Sequence, residues 1–138
     1  MKREIKFRGK RLDNGEWVYG YFYEECKNTY IIEDRQHQKN DLCARNIPYR
    51  VATETVGQYT GLKDKNGKEI YKGDIIEYRG MHYVIVFWSG MFYASVEECN
   101  KDIYGGYPLW GCLDEDHKIA GVIGNVHDNP SLLKGGEE

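Results

Sequence analysis

The sequence predicts a mainly β fold with few short helices, and three observations carry that expectation. Twelve tyrosines and 16 glycines in 138 residues suit pleated strands and tight turns. Tyr packs its ring on a half-buried sheet while its hydroxyl reaches water, and Gly supplies the positive φ that turns need. Apolar residues recur at alternate positions, the repeat of a strand. Turn pairs stand between those runs, Asn14-Gly15, Asn66-Gly67 and Ser89-Gly90, of the kind that close hairpins.

Each element follows from local pattern. Glu4 to Leu12 is the first strand candidate, and Asp13-Asn14-Gly15 is its turn. In the next run Trp17, Tyr19, Tyr21 and Tyr23 share one face and Val18, Gly20 and Phe22 the other; bulk on both faces predicts a strand covered on both sides. Tyr30 to Ile32 reads as a short strand, and the polar stretch from Glu33 to Asn46 as a surface loop or short helix. Arg50 to Tyr59 reads as one more strand. Leu62 to Ile70 is a turn centred on Asn66-Gly67, and Gly73-Asp74 opens a strand from Ile75 to Tyr78. Arg79-Gly80 turns into Tyr83 to Trp88, and Ser89-Gly90 into Met91 to Val96. Three strands joined by tight turns form a meander like the middle of an SH3-like barrel. Glu97 to Tyr104 is expected as one or two helical turns and Gly105 to Pro108 as a loop. Ile119 to Val126 is a last strand, and Asn129 to Leu133 a turn with a short helical cap. The expected whole is one unit: an N-terminal β-meander (residues 1–60) packed on a C-terminal SH3-like β-barrel (61–133), with a frayed tail at 134–138.

Charge and length bound the function. Nineteen basic and 22 acidic residues leave a formal net charge of −3, which gives no strong average field for nucleic acid. No apolar run reaches the length of a membrane span. The opening Met1-Lys2-Arg3-Glu4-Ile5-Lys6 has basic residues but no apolar segment after them, so no secretion signal is expected and the cytoplasm is the expected location. There Cys26, Cys43, Cys99 and Cys112 are expected to be reduced.

Three stretches resemble one family. The middle run, Thr55 to Ile76, reads Thr-Val-Gly-Gln-Tyr-Thr-Gly-Leu-Lys-Asp-Lys-Asn-Gly-Lys-Glu-Ile-Tyr-Lys-Gly-Asp-Ile-Ile. Near the start stand Ile5, Lys6, Phe7 and Arg8, and near the end Val122, Ile123, Gly124, Asn125, Asn129, Pro130, Leu132 and Leu133. Together they resemble the signature of the YopX family, small proteins of bacteriophages and prophages with no assigned biochemical role. Gly9 and Lys10 depart from the family's usual Ala-Trp-Asp type of continuation, and Asn100 to Cys112 has no matching pattern. The resemblance implies a barrel of the SH3 kind and a place in the bacterial host cell.

Motifs for chemistry are absent from the sequence. None of Ser89, Ser95 and Ser131 lies in Gly-x-Ser-x-Gly. Gly9-Lys10 and Gly67-Lys68 lack the upstream Gly and following Ser or Thr of a phosphate loop. Asp64 to Gly67 looks like part of a calcium loop, but Leu62 stands where its first acid belongs. Cys43 with His37 and Cys112 with His117 are not zinc half-sites. Among the carboxylates Glu54, Asp64, Asp74 and Glu77, Asp74 stands where its side chain can accept a backbone N–H at a strand start. No catalytic residue, metal or cofactor is expected, and the middle run reads as architecture.

Binding remains. The leading expectation is a non-enzymatic binding or assembly protein, acting on an unknown protein partner or on itself as a homo-oligomer, with Tyr78, Tyr83, Trp88 and Trp110 as contact residues. The alternative is a nucleic-acid-associated protein that stacks bases on Tyr59, Tyr71, Tyr78, Tyr83, Trp88 and Trp110 beside Lys63, Lys65, Lys68 and Lys72. An enzyme of unknown class is the third reading.

Overall fold

The structure is a computed structural model that describes residues 4–33, 47–96, 107–113 and 115–134. The expected loop at 34–46, the expected helical turns from Glu97 to Tyr104, Gly105-Gly106, Cys43, Cys99 and the tail at 135–138 lie outside the described residues. The chain divides into two compact units, Met1–Tyr59 and Thr60–Glu138.

In the first unit, β1 (Phe7–Lys10), β2 (Trp17–Glu25), β3 (Asn28–Glu33), β4 (Pro48–Val51) and the start of β5 (Gly57–Lys63) form an antiparallel sheet. Its order is β4-β3-β2-β1-β5. The β1–β2 connection is longer than Asn14-Gly15 alone. Arg11 N–H donates to the Glu16 carbonyl and Gly15 N–H to the Arg11 carbonyl, and Asn14 Oδ1 accepts the Glu16 N–H at 2.9 Å. The expected strand from Arg50 to Tyr59 is broken into β4, a 3-10 turn at Thr53–Thr55, and β5. Thr55 explains the break: its hydroxyl donates to the Ala52 carbonyl at 2.6 Å and accepts the Lys10 N–H at 2.9 Å.

Val18, Ile31 and Val51 form the core of this unit, with Phe7, Tyr49 and Val56 packed against them. Two glycines let the strands approach. A Cβ on Gly9 would stand 3.0 Å from Val51. Gly20 lies opposite both Phe7 and Glu33, and a Cβ there would collide with the Ile32 carbonyl oxygen. The expectation that β2 is covered on both sides is corrected here: Tyr19 and Tyr21 are 46% and 50% exposed. Only the Val18 side feeds a core, because β3 and β4 present Ile31 and Val51 to that side.

The second unit continues β5 and adds β6 (Glu69–Tyr71), β7 (Asp74–Tyr78), β8 (Met81–Trp88), β9 (Met91–Ser95), β10 (Tyr107–Pro108) and β11 (Val122–Asn125). One helical turn, α1 (Ser131–Lys134), follows. Strands β7 to β9 form the expected meander, turned at Arg79-Gly80 and Ser89-Gly90, all four residues at positive φ. The sheet order is β10-β9-β8-β7-β11. That sheet is open, so the closed form of the expected SH3-like barrel is absent among the described residues. Among the described residues the ladder stops at β10 (Tyr107–Pro108), which ends in a residue with no N–H to pass on.

The core of this unit gathers Ile70, Ile76, Ile85, Ala94, Leu109 and Ile119 with other buried residues. Ile76 and Ile85 are wholly buried, each contributing about 1.5–3 kcal/mol of burial. No helix among the described residues is long and apolar enough to cross a membrane.

Candidate functional site

The run that dominates the sequence folds as an anchor. Asp64 N–H donates to the Lys68 carbonyl and Gly67 N–H to the Asp64 carbonyl, at 2.8 and 2.9 Å. Gly67, at φ 81°, is the one turn residue there in the left-handed region. The Asp64 carboxylate is 6% exposed and fully engaged. Its Oδ1 accepts the N–H groups of Asn66 and Lys68 at 2.8 and 2.9 Å, and its Oδ2 accepts the Val122 N–H at 2.9 Å. One side chain thus closes its own turn and fastens the last strand.

Asp74 does the same on a shorter scale. Its Oδ2 accepts the Tyr71 N–H at 2.8 Å across Gly73, which sits at φ 94°. The terminal signature is a third clasp. Asn125 Oδ1 accepts N–H groups from His127 and Asp128 at 3.0 and 2.9 Å, and the Asn129 N–H donates to the Asn125 carbonyl at 2.8 Å. Gly124 leaves the space: a Cβ would stand 2.6 Å from Asn129 Oδ1 and 2.9 Å from Leu132 Cδ1. Glu54 and Glu77 are exposed; Glu77 Oε2 lies 3.5 Å from His82 Nε2, whose Nδ1 is 2.7 Å from the Leu132 carbonyl oxygen.

The aromatic residues expected to make contacts separate into two groups. Tyr78 and Tyr83 are 8% and 5% exposed. They meet Tyr107 edge-on, with ring centroids 5.5 and 5.7 Å apart. Burial first, and the neighbouring Tyr107 second, raises the Tyr83 phenol above its usual pKa. Tyr59 and Tyr71 are buried too. These four rings are packing, not a presented surface.

Trp88 and Trp110 reach solvent. Trp88 lies at the end of the β8–β9 hairpin, paired with Met91 across the Ser89-Gly90 turn; Phe87 pairs with Phe92. The Phe87 and Phe92 rings meet edge-on at 5.0 Å, and the Trp88 and Tyr93 rings at 6.2 Å. Phe87, Trp88 and Met91 are all exposed, so this hairpin end is an apolar aromatic tip. Trp110 is 64% exposed and lines an open cavity of 570 Å³ with Leu62, Lys63, Lys65, His117 and Lys118. The Asp64 carboxylate at its wall is already occupied by backbone N–H groups.

Among the described residues no group of three or more His, Cys, Asp or Glu is placed to hold a metal ion. Cys26 is an exposed thiol in the β2–β3 turn. Cys112 is buried, and burial pushes its thiol up to about 11, which makes it a poor nucleophile or ligand at neutral pH.

The sequence reading missed Asp64 as the anchor and left Tyr19 and Tyr21 out of the contact candidates. Alternation along β2 was the signal available for the two tyrosines. For Asp64 the bonds to Asn66 and Lys68 had the Asx turn as their signal, but the link to Val122, 58 residues away, had none.

A family model described as "YopX protein" matches residues 6–134. Among solved structures, the chain is similar to protein EF1440 from Enterococcus faecalis. The two are 21% identical over 96% of this chain and 99% of that one, with a TM-score of 0.56; at that identity the likeness is one of fold. No curated protein matches the chain.

Proposed function

This chain belongs to the YopX family, and from that premise we propose that it is a phage- or prophage-encoded protein whose work is binding and assembly in the bacterial cytoplasm, without catalysis. The observation that carries this reading is the aromatic tip of the β8–β9 hairpin, where Phe87, Trp88 and Met91 stand exposed together. Large rings on paired strand ends beside a two-residue turn have few rotatable bonds to order on docking, and such rings dominate contact energies. The engagement of Asp64 and Asp74 by backbone N–H groups supports the non-catalytic side of the reading. We read the second unit as an open relative of the SH3-like arrangement, since β11 returns against the first strand of the β7–β9 meander.

The occupant we assign to the tip is a second copy of the chain. Light scattering behind a sizing column tests it. The wild-type mass is expected to be a multiple of 16.1 kDa, insensitive to salt, and Phe87→Ser with Trp88→Ser is expected to return it to one chain. A wild type that stays a single chain at every concentration sinks the self-association reading.

A further inference from the structure

The first unit's sheet has a second face, opposite the one that carries Val18 and Ile31. Along β2 it carries Trp17, Tyr19, Tyr21 and Tyr23, with Tyr30 beside Tyr23 on β3. Alternate residues of a strand stand about 6.8 Å apart, so the four β2 rings form a row roughly 20 Å long. Tyr23 and Tyr30 stack at 5.0 Å with planes 15° apart. Tyr19 and Tyr21, in the middle of the row, are about half exposed.

Cations frame that row. Strand register places Lys10 opposite Trp17 on β1 and Arg50 opposite Tyr30 on β4. The Lys10 Nζ lies 5.7 Å from the Trp17 ring centre. Arg50 donates to Asn28 Oδ1 at 2.7 Å, which holds its guanidinium on the same face. Arg8, buried, lies over the Trp17 ring at 4.7 Å and fixes that end of the row.

The positive charge at the row is local: Lys10 and Arg50 supply it on a chain whose formal charge is −3.

We propose that this face binds single-stranded nucleic acid, stacking bases on Tyr19 and Tyr21 while Lys10 and Arg50 meet the phosphates. Exposed rings flanked by cations on a sheet match the two chemistries of an unpaired strand, flat base faces and a charged backbone. A duplex hides its base faces, so it is a poor occupant of the same row. The site uses none of the hairpin-tip residues, and its test stands apart from that of self-association.

Fluorescence anisotropy tests it with labelled single-stranded DNA, RNA of the same sequence, and the DNA duplex, each at two salt concentrations. The wild type is expected to bind a single strand, DNA or RNA, more tightly than duplex, and the stronger of the two strands identifies the source. Tyr19→Ala with Tyr21→Ala is expected to weaken that binding at least about tenfold, as loss of two stacking platforms implies, with circular dichroism unchanged. Phe87→Ser with Trp88→Ser is expected to leave it alone. Lys10→Gln with Arg50→Gln is expected to flatten the salt dependence, and decides the matter independently if the tyrosine variant does not fold. No single-strand binding, equal duplex binding, an undiminished affinity in the folded tyrosine variant, or an unchanged salt slope in the charge variant each overturns the proposal. So does a tyrosine variant that loses a dimer while keeping its affinity for single strands, since the face would then be a chain–chain contact.

Discussion

A single carboxylate, Asp64, satisfies three backbone N–H groups, two in its own turn and one on β11. Removing it leaves three partly buried donors without their acceptor at once, a larger loss than that of a single surface bond. Asp64→Ala is expected to cost about 3 kcal/mol, read as a lower urea midpoint. Asp64→Asn is expected to fall between, because its amide nitrogen would face one of the donors. Cys112 sets a pH limit instead. Its folded pKa is raised by burial from 9.0 to about 11, so its contribution is full below 9, where the unfolded thiol is still protonated. It is lost as pH rises through about 11, and Tyr83 acts in the same direction. Thermal midpoints are expected to decline across that alkaline window, and less steeply in Cys112→Ala. These residues differ in how readable they were. Asp74 was legible because its partner Tyr71 is three residues back. Tyr78 and Tyr83 were not, because a phenol ring suits core and surface equally.

Elements were legible where a turn carried its own chemistry. Ser89-Gly90 and Arg79-Gly80 adopt the two left-handed positions that tight hairpins use. The β2–β3 turn was not legible, because Cys26 and Lys27 occupy those positions, at φ 50° and 65°, without the usual residues. Left-handed backbone costs a side-chain-bearing residue about 1–2 kcal/mol. Cys26→Asn with Lys27→Gly is therefore expected to raise stability by about 1 kcal/mol, seen as a higher denaturant midpoint with an unchanged slope. The 3-10 turn at Thr53–Thr55 also escaped the pattern, since it depends on the Lys10 N–H, 45 residues before Thr55.

Over the whole molecule, stability is uneven. Ile75, Ile76, Val84 and Ile85 are essentially wholly buried on paired strands β7 and β8, while residues 12–16 are exposed. Hydrogen exchange is expected to be slowest in peptides covering β7 and β8 and fast at 12–16; early exchange in β8 would contradict the packing described. Strand content and the meander were legible from alternation and turn pairs. The open sheet was not, because closure depends on edge pairing between β10 and β11, which no local pattern encodes. One long-range link has a consequence during synthesis. The acid in the middle of the chain waits for an amide 58 residues downstream, so the second unit cannot finish folding until the ribosome has released nearly all of it. A premature stop before Val122 would strand a charged oxygen and leave the flank of β7 bare, marking the truncated product for aggregation or proteolysis.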